Sequence, residues 1–509
     1  MIVGAMAVMS AFAGRNLGLL AAVDIDCGRQ LFVDDHVIQD KAGVIRHWNT
    51  PTKVEQPVLK PTSEKEGRIA GCTVATDGGF WWDPTIGKYR LWYETGWCGE
   101  LRYAESRDGF AWEFPDLGVV KGTNRVFEKD EMDSWSVFPD YQAENPYAKW
   151  NLFVSDEGCR SANDVIYTSG DGRRFERLGL SGTSGDRSTM YFDPFRGRWV
   201  YSLRDYWDGR SRNIFTSAAF KVGEKPYGWG KDRLRTEEWK EIPHGNLYSF
   251  TAVPYESLML GVFELVDSEP ANKWGNADNG ACEDEGKPKS TYLQFAFSRD
   301  GRTYFPAGAA CAIRPSGWGS GKWDTGYLAI AGGVCVIRDE RLCFHYSGLQ
   351  GDATRRTFDG YTDYDRDIGT YYNGALGAAT LRRDGFAGLV AVGKGTVLTK
   401  KIKFTGGHLF VNGECNYGSI AAEVLDGNRQ PIPGFTLADC TAVRYADTTK
   451  RELVFKGGDL AKLGDKGVHI IFRLHCATLY SFWISPSGRG ESRGYVAAGG
   501  PAYPGLRDL

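Results

Sequence analysis

Asp133 and Asp186 each stand seven residues ahead of another aspartate, Asp140 and Asp193, that sits in a turn-forming stretch. Asp77 stands six ahead of Asp83 in the same setting. Each later aspartate sits at or next to a Pro, Gly or Asn that favours chain reversal. The earlier ones fall at the entrance of the strand before it. A repeat of this kind predicts carboxyl groups at the starts of consecutive strands, able to converge from different parts of a sheet array. Two such carboxyls flanking one bond are what glycoside hydrolysis needs: one as acid, the other as base or nucleophile. Each could equally cap a loop by accepting backbone N–H bonds.

Glu256 in "PYESLMLG" is a fourth candidate, because a Glu in an apolar run is costly unless it is paired or protonated. Partial burial would raise its pKa toward that of a general acid. The competing expectation is a buried ion pair with an arginine. Arg187 and Arg204 bracket the stretch "GDRSTMYFDPFRGRWVYSLRDYW" and could hold substrate through their forked guanidinium groups. Tyr206 and Trp207 follow as a stacking wall for a sugar ring. Asp34 and Asp35 in "LFVDDHVI" precede the first repeat and read as structural, in an N-terminal strand that closes the ring.

The elements that must position these groups show as an internal repeat. "FWWDPTIGKYRLWYE" is an apolar strand, an Asp-Pro turn and an aromatic strand, and "MYFDPFRGRWVYSLR" has the same form. Looser versions span 136–156, 252–265 and 333–348. A second element follows each hairpin: "ESRDGFAWEFP", "TSGDGRRFERL", "FTSAAF", "FSRDGRTYFP" and "LRRDGFAGL". Four hold Asp-Gly, three of them as a full turn of the Ser-Arg-Asp-Gly kind or close to it, and "FTSAAF" lacks it. Five such units predict a five-bladed β-propeller over 29–390, with polar loops at 266–290 and 349–374. Beyond it, short alternating strands predict a β-sandwich over 391–490, and a Gly- and Pro-rich tail occupies 491–509. The fold class is all-β.

A formal net charge of -3 with 25% charged residues gives no strong field for nucleic acid or anionic lipid. The 11 Cys and 7 His form no zinc spacing, so no metal or other cofactor is expected. The segment 1–28 is apolar and rich in small residues, with "AFA" resembling a cleavage site. It points to a secreted or periplasmic protein, and no later run is long enough to span a membrane.

Propeller, sandwich and the Ser-Arg-Asp-Gly-x-x-Trp element (Ser106 to Trp112) together resemble the β-fructosidases of glycoside hydrolase family 32. The stretches "QLFVDDHVI", "GDRSTMYFDPFRGRWVYSLR", "AVPYESLMLG", "LRRDGFAGL" and "LYSFWISPSGRGESRGYVAAGG" resemble a related group of bacterial proteins that carries the same family label. The resemblance implies a carbohydrate substrate and a glycosidase working in the propeller funnel, from the ends of chains. The family's Trp-x-Asn-Asp-Pro-Asn-Gly nucleophile motif is absent, and Thr251 stands where the related group's pattern has Asp. The alternative is therefore a carbohydrate-binding propeller without catalysis. A sialidase-like enzyme would want three clustered arginines, a tyrosine nucleophile and usually six blades.

Overall fold

The computed structural model describes residues 22–61, 73–96, 99–128, 132–157, 163–205, 211–220, 232–233, 247–266, 290–317, 319–350 and 373–509. The apolar segment 1–21 and most of both polar loops lie outside them. All five expected hairpins form as antiparallel pairs. Their inner strands are Thr73–Asp83, Met132–Pro139, Thr189–Asp193, Leu247–Glu256 and the interrupted pair Tyr327–Ile330 and Val336–Arg338. Neighbouring inner strands pack on one another, and the fifth returns to the first, so the ring is closed. Each inner strand leads outward through a meander of antiparallel strands to make one blade.

The sequence explains why these blades pack. Alternation on a strand sends one face of each blade toward each neighbour, and those faces carry the aromatics. Trp81, Trp92, Trp135, Trp150 and Trp199 are fully buried. Their indole N–H groups must find acceptors, and four find them in another blade's segment, Trp135 Nε1 donating to Glu94 Oε2 at 3.4 Å. Trp81 Nε1 donates to Val137 O at 2.8 Å, Trp92 Nε1 to Gly172 O at 2.9 Å and Trp199 Nε1 to Gln142 Oε1 at 2.8 Å. Most of the described tryptophans thus fill the core, and these four stitch blades together.

The Asp-Gly turns repeat one geometry. Gly109, Gly172 and Gly301 have φ between 65° and 77°, a region that favours glycine, and each donates its N–H to a serine three residues back at 2.8 Å. Asp108, Asp171 and Asp300 each accept the next two free N–H groups. "LRRDGFAGL" departs from this. Its Asp384 is fully buried between Gly374–Arg382 and Ala387–Thr399, and belongs to an ion cluster rather than to a turn of this type.

The domain boundaries also differ from expectation. Thr52–Lys53 pairs with Gly374–Arg382 as the outermost strand of the fifth blade, so an N-terminal strand does close the ring, but it is not the one carrying Asp34 and Asp35. Gln30–Leu31, Ile38–Ala42 and Ile45–Trp48 pair instead with the C-terminal strands His469–Ser485 and Ala387–Thr399. Those two long strands bend, one at a bulge between Ala391 and Lys394 and the other at Cys476, whose φ is 44°. His469–Ser485 meets Ser419–Leu425 before its bend and His408–Glu414 after it, which gives the sandwich its two layers around one apolar core. Ile25, Phe32, Val37 and Ile38 belong to that core. Residues 23–48 are thus part of the sandwich. Pairings between residues more than 300 positions apart leave no local mark in the sequence.

The tail is not a loose extension. Tyr495–Val496 pairs with the last residues of the fourth inner strand. Ala497 N donates to Pro254 O, Trp82 N to Ala498 O, Ala498 N to Cys335 O and Ile337 N to Gly499 O, at 2.8–3.1 Å. Residues 496–499 thereby join the first, fourth and fifth blades at the turn end of the inner strands, where Val496, Ala497 and Ala498 are fully buried.

Candidate active site

The opposite end of the inner strands gathers the groups of interest. Arg187 enters the third inner strand with φ 61°, a left-handed conformation rare for a side chain of this size. Ser134 and Ser249 hold it from both sides. Ser134 Oγ of the second blade accepts the Arg187 N–H at 2.7 Å, and Ser249 Oγ of the fourth donates to the Arg187 carbonyl at 3.3 Å. One backbone unit thus fixes three consecutive inner strands at a common level.

The Arg187 side chain is 3% exposed and ion-pairs with Glu264 of the fourth blade, Nη2 to Oε2 at 2.5 Å. Its guanidinium carbon lies 5.5 Å from the ring of Tyr248 and 5.9 Å from that of Tyr327, which starts the fifth inner strand. The two rings meet edge to face with centroids 6.0 Å apart. Residues of three blades therefore converge on one arginine, which a buried charge requires if it is to be paired and screened by aromatic faces.

Asp186 ion-pairs with Arg204, and its side chain keeps 24% exposure against 1% for Glu264. The local sequence is built for this contact. Gly185 passes so close to Arg204 that an added Cβ would lie 2.9 Å from Cδ. Ser188 Oγ accepts the Arg204 N–H at 3.0 Å and donates to Gly185 O at 2.8 Å. Asp133 immediately precedes Ser134, so the backbone of the second inner strand carries it beside residue 186. The side chains of Asp133 and Asp77 lie outside the described residues, as do Tyr206 and Trp207.

Glu256 requires a correction. It stands at the hairpin turn of the fourth blade, seven residues beyond Ser249, which at about 3.3 Å per residue is roughly 20 Å from the level of Arg187. Two carboxyls acting on one glycosidic bond stand about 5–10 Å apart. Glu256 therefore cannot share a bond with Asp186. Its partners are Arg383 at 2.8 Å, the Arg29 N–H at 3.0 Å and Ser492 Oγ at 2.7 Å. Asp384 completes the cluster through Arg29 at 3.1 Å and Ser481 Oγ at 2.6 Å. Burial drives the Glu256 pKa up, against the lowering charges of Arg383 and Arg29. For Asp384 burial acts in the same upward sense, but Arg29 and Arg383 outweigh it and the pKa falls. Both acids are structural, as are Asp34, paired with Arg299, and Asp35, paired with Lys41 and Arg46.

No family model and no curated protein matches this chain. Among solved structures, a glycosyl hydrolase from Bacteroides ovatus is similar at TM-score 0.42 and 10% identity, over 66% of this chain and 94% of that one. A fructofuranosidase from Schwanniomyces occidentalis complexed with fructose is similar at TM-score 0.37 and 12% identity, over 84% of this chain and 97% of that one. Overlaps this loose assign no role to any residue.

The sequence reading missed Glu264, Tyr248, Tyr327 and the two serines. Glu264 was findable: "VFELV" is an acid in an apolar run, the same signal that singled out Glu256. Glu264 lies on the strand after its hairpin turn, where the repeat of acids ahead of turns does not reach. Among the described residues, no three His, Cys, Asp or Glu side chains are arranged to hold a metal ion, and no helix is long and apolar enough to cross a membrane.

Proposed function

We propose that the protein is a glycoside hydrolase that removes sugar units from the ends of glycan chains. The observation that carries this reading is the contrast along the propeller axis. Residues 496–499 fill the turn end, while the start end holds a partly exposed Asp186 beside a braced arginine. A site with one mouth suits a chain end better than the middle of a polymer. Asp186 is assigned as base or nucleophile, because the guanidinium of Arg204 favours the ionised carboxylate such a role needs. Asp133, on the adjacent inner strand, is assigned as the acid. Arg187 positions the mouth through its two serine contacts. Asp77 is assigned as a further acid of the site, and Tyr206 and Trp207 as the residues that stack on the sugar.

A second reading is a carbohydrate-binding propeller without catalysis. It is favoured by the fact that two described carboxylates at the start end, Asp186 and Glu264, already have arginine partners. One experiment separates the two. Purified protein is screened on fructans, arabinans and aryl furanosides and pyranosides, beside Asp186→Asn and Asp133→Asn. Hydrolysis with single sugars as the first products, lost in Asp186→Asn, is the expected result. With a dinitrophenyl leaving group, which needs little protonation, Asp133→Asn regains turnover and Asp186→Asn does not. Equal turnover in wild type and Asp186→Asn removes Asp186 from the mechanism. Binding without turnover on any sugar leaves the second reading.

A further inference from the structure

The three most exposed large apolar side chains among the described residues are Tyr417 at 87%, Val392 at 83% and Tyr445 at 75%. They share one end of the sandwich. Tyr445 N donates to Gly418 O at 3.2 Å, which sets the two tyrosines on adjacent turns. Val392 lies at the bulge of Ala387–Thr399, and its carbonyl accepts from Cys476 Sγ at 3.2 Å, next to His475. Ser419, two residues from Tyr417, is the register partner of both His475 and Arg444, and His475 is also that of Lys394. Direct cross-strand partners point to the same side of a sheet. Lys394, His475, Ser419 and Arg444 therefore form a polar row across four strands, about 14 Å long. All but Ser419 are exposed.

Two backbones are distorted here. Tyr445 has φ 50° and Cys476 has φ 44°. For such residues this costs about 1–2 kcal/mol each. Neither the ring of Tyr417 nor that of Tyr445 is buried in compensation.

We propose that this end of the sandwich is a saccharide-binding surface separate from the propeller funnel. Tyrosine rings offer apolar faces for sugar rings, and their phenols can stay hydrated. The polar row beside them supplies donors matched to hydroxyl groups. Stacking faces beside hydroxyl-matched donors fit a saccharide, and a second copy of this chain is the occupant that the sedimentation arm below tests.

The test uses the full chain with Asp186→Asn as background, so that binding is read without turnover. Electrophoretic retardation is measured in gels containing levan, arabinan, mannan, xylan or polygalacturonate. Retardation by at least one polysaccharide is expected, weakened at least tenfold in Tyr417→Ala/Tyr445→Ala and largely retained in the Phe pair, with unchanged melting temperature. In the catalytically intact chain the Ala pair should leave turnover of a small aryl glycoside unchanged, whatever its value. Equal retardation of parent and Ala pair, or none by any polysaccharide, overturns the proposal. So does a parent that sediments as a dimer and an Ala pair that sediments as a monomer, which would make the patch a contact between copies.

Discussion

At the turn end of the inner strands Arg29, Arg383, Glu256 and Asp384 have side-chain exposures of 0–1%, two cations against two anions. At the start end Arg187 and Glu264 are equally buried, but Asp186 and Arg204 retain 24% and 13%. The residue types are the same. What differs is what covers them. The tail strand Tyr495–Val496, Ser492 and the edge of the sandwich close over the first group. At the start end no described segment crosses Asp186 in that way. A charge sealed from water on all sides can only hold structure, and one left at a water boundary can exchange a proton or meet a ligand.

Four expected outcomes probe that contrast, the largest first. Asp186→Asn at the start end should lower kcat by about 10³-fold with little change in melting temperature. A large fall in melting temperature with kcat preserved would reverse the two ends' roles. Glu256→Gln at the turn end should do the opposite. It leaves Arg29 and Arg383 with one fully buried anion, Asp384, beside the more exposed Glu340 and Asp508, and such broken buried pairs cost about 3–5 kcal/mol. Urea unfolding measures this, and a loss under 1 kcal/mol would mean that the cluster is not the clamp its geometry implies.

His345 offers a third environment, midway between the ends. It stacks on Phe80 at 3.8 Å, its Nε2 lies 3.0 Å from Gly109 O, and burial lowers its pKa to about 4. Its unfolded value is 6.5. Between those values the unfolded chain binds more protons, so this stability is complete above pH 6.5 and is lost as pH falls toward 4. The loss approaches about 3 kcal/mol. His345→Gln should flatten that part of the stability profile, measured by urea unfolding from pH 7 to 4.5, and an unchanged slope would acquit His345. The smallest effect belongs to the outer rim. Asp108→Ala removes two acceptor contacts to backbone N–H groups and should cost about 1 kcal/mol, seen as a modest fall in the urea midpoint with activity unchanged.

The propeller was legible because its signals are local. Asp83 and Asp193 sit in turns and pair with Arg90 and Arg196, all within a few residues, so each hairpin announces itself. The site was legible only in part. Asp186 and Arg187 stand out as charges at a strand entrance, but that Arg187 would pair with Glu264 depends on how two blades meet. Glu256 misled for the same reason. In "PYES" it is a lone acid among apolar residues, and its neutralising partners Arg29 and Arg383 lie 227 and 127 positions away. Gly and Pro in the tail signal only turns. Its backbone groups are in fact spent on three different blades.

The pairing of residues 23–53 with residues 376–482 has a consequence for how the molecule is made. A ribosome releases the early segment first, yet that segment has no sheet to join until Gly374–Arg382 and Ala387–Thr399 have emerged, and Gln30–Leu31 waits for His469–Ser485. The fifth blade stays unsealed until Gly374–Arg382 meets Thr52–Lys53. A fragment cut at either module boundary would expose an open sheet edge or an unfilled core. The two modules should therefore mature together and late, with chaperones shielding the apolar blades until the ring closes.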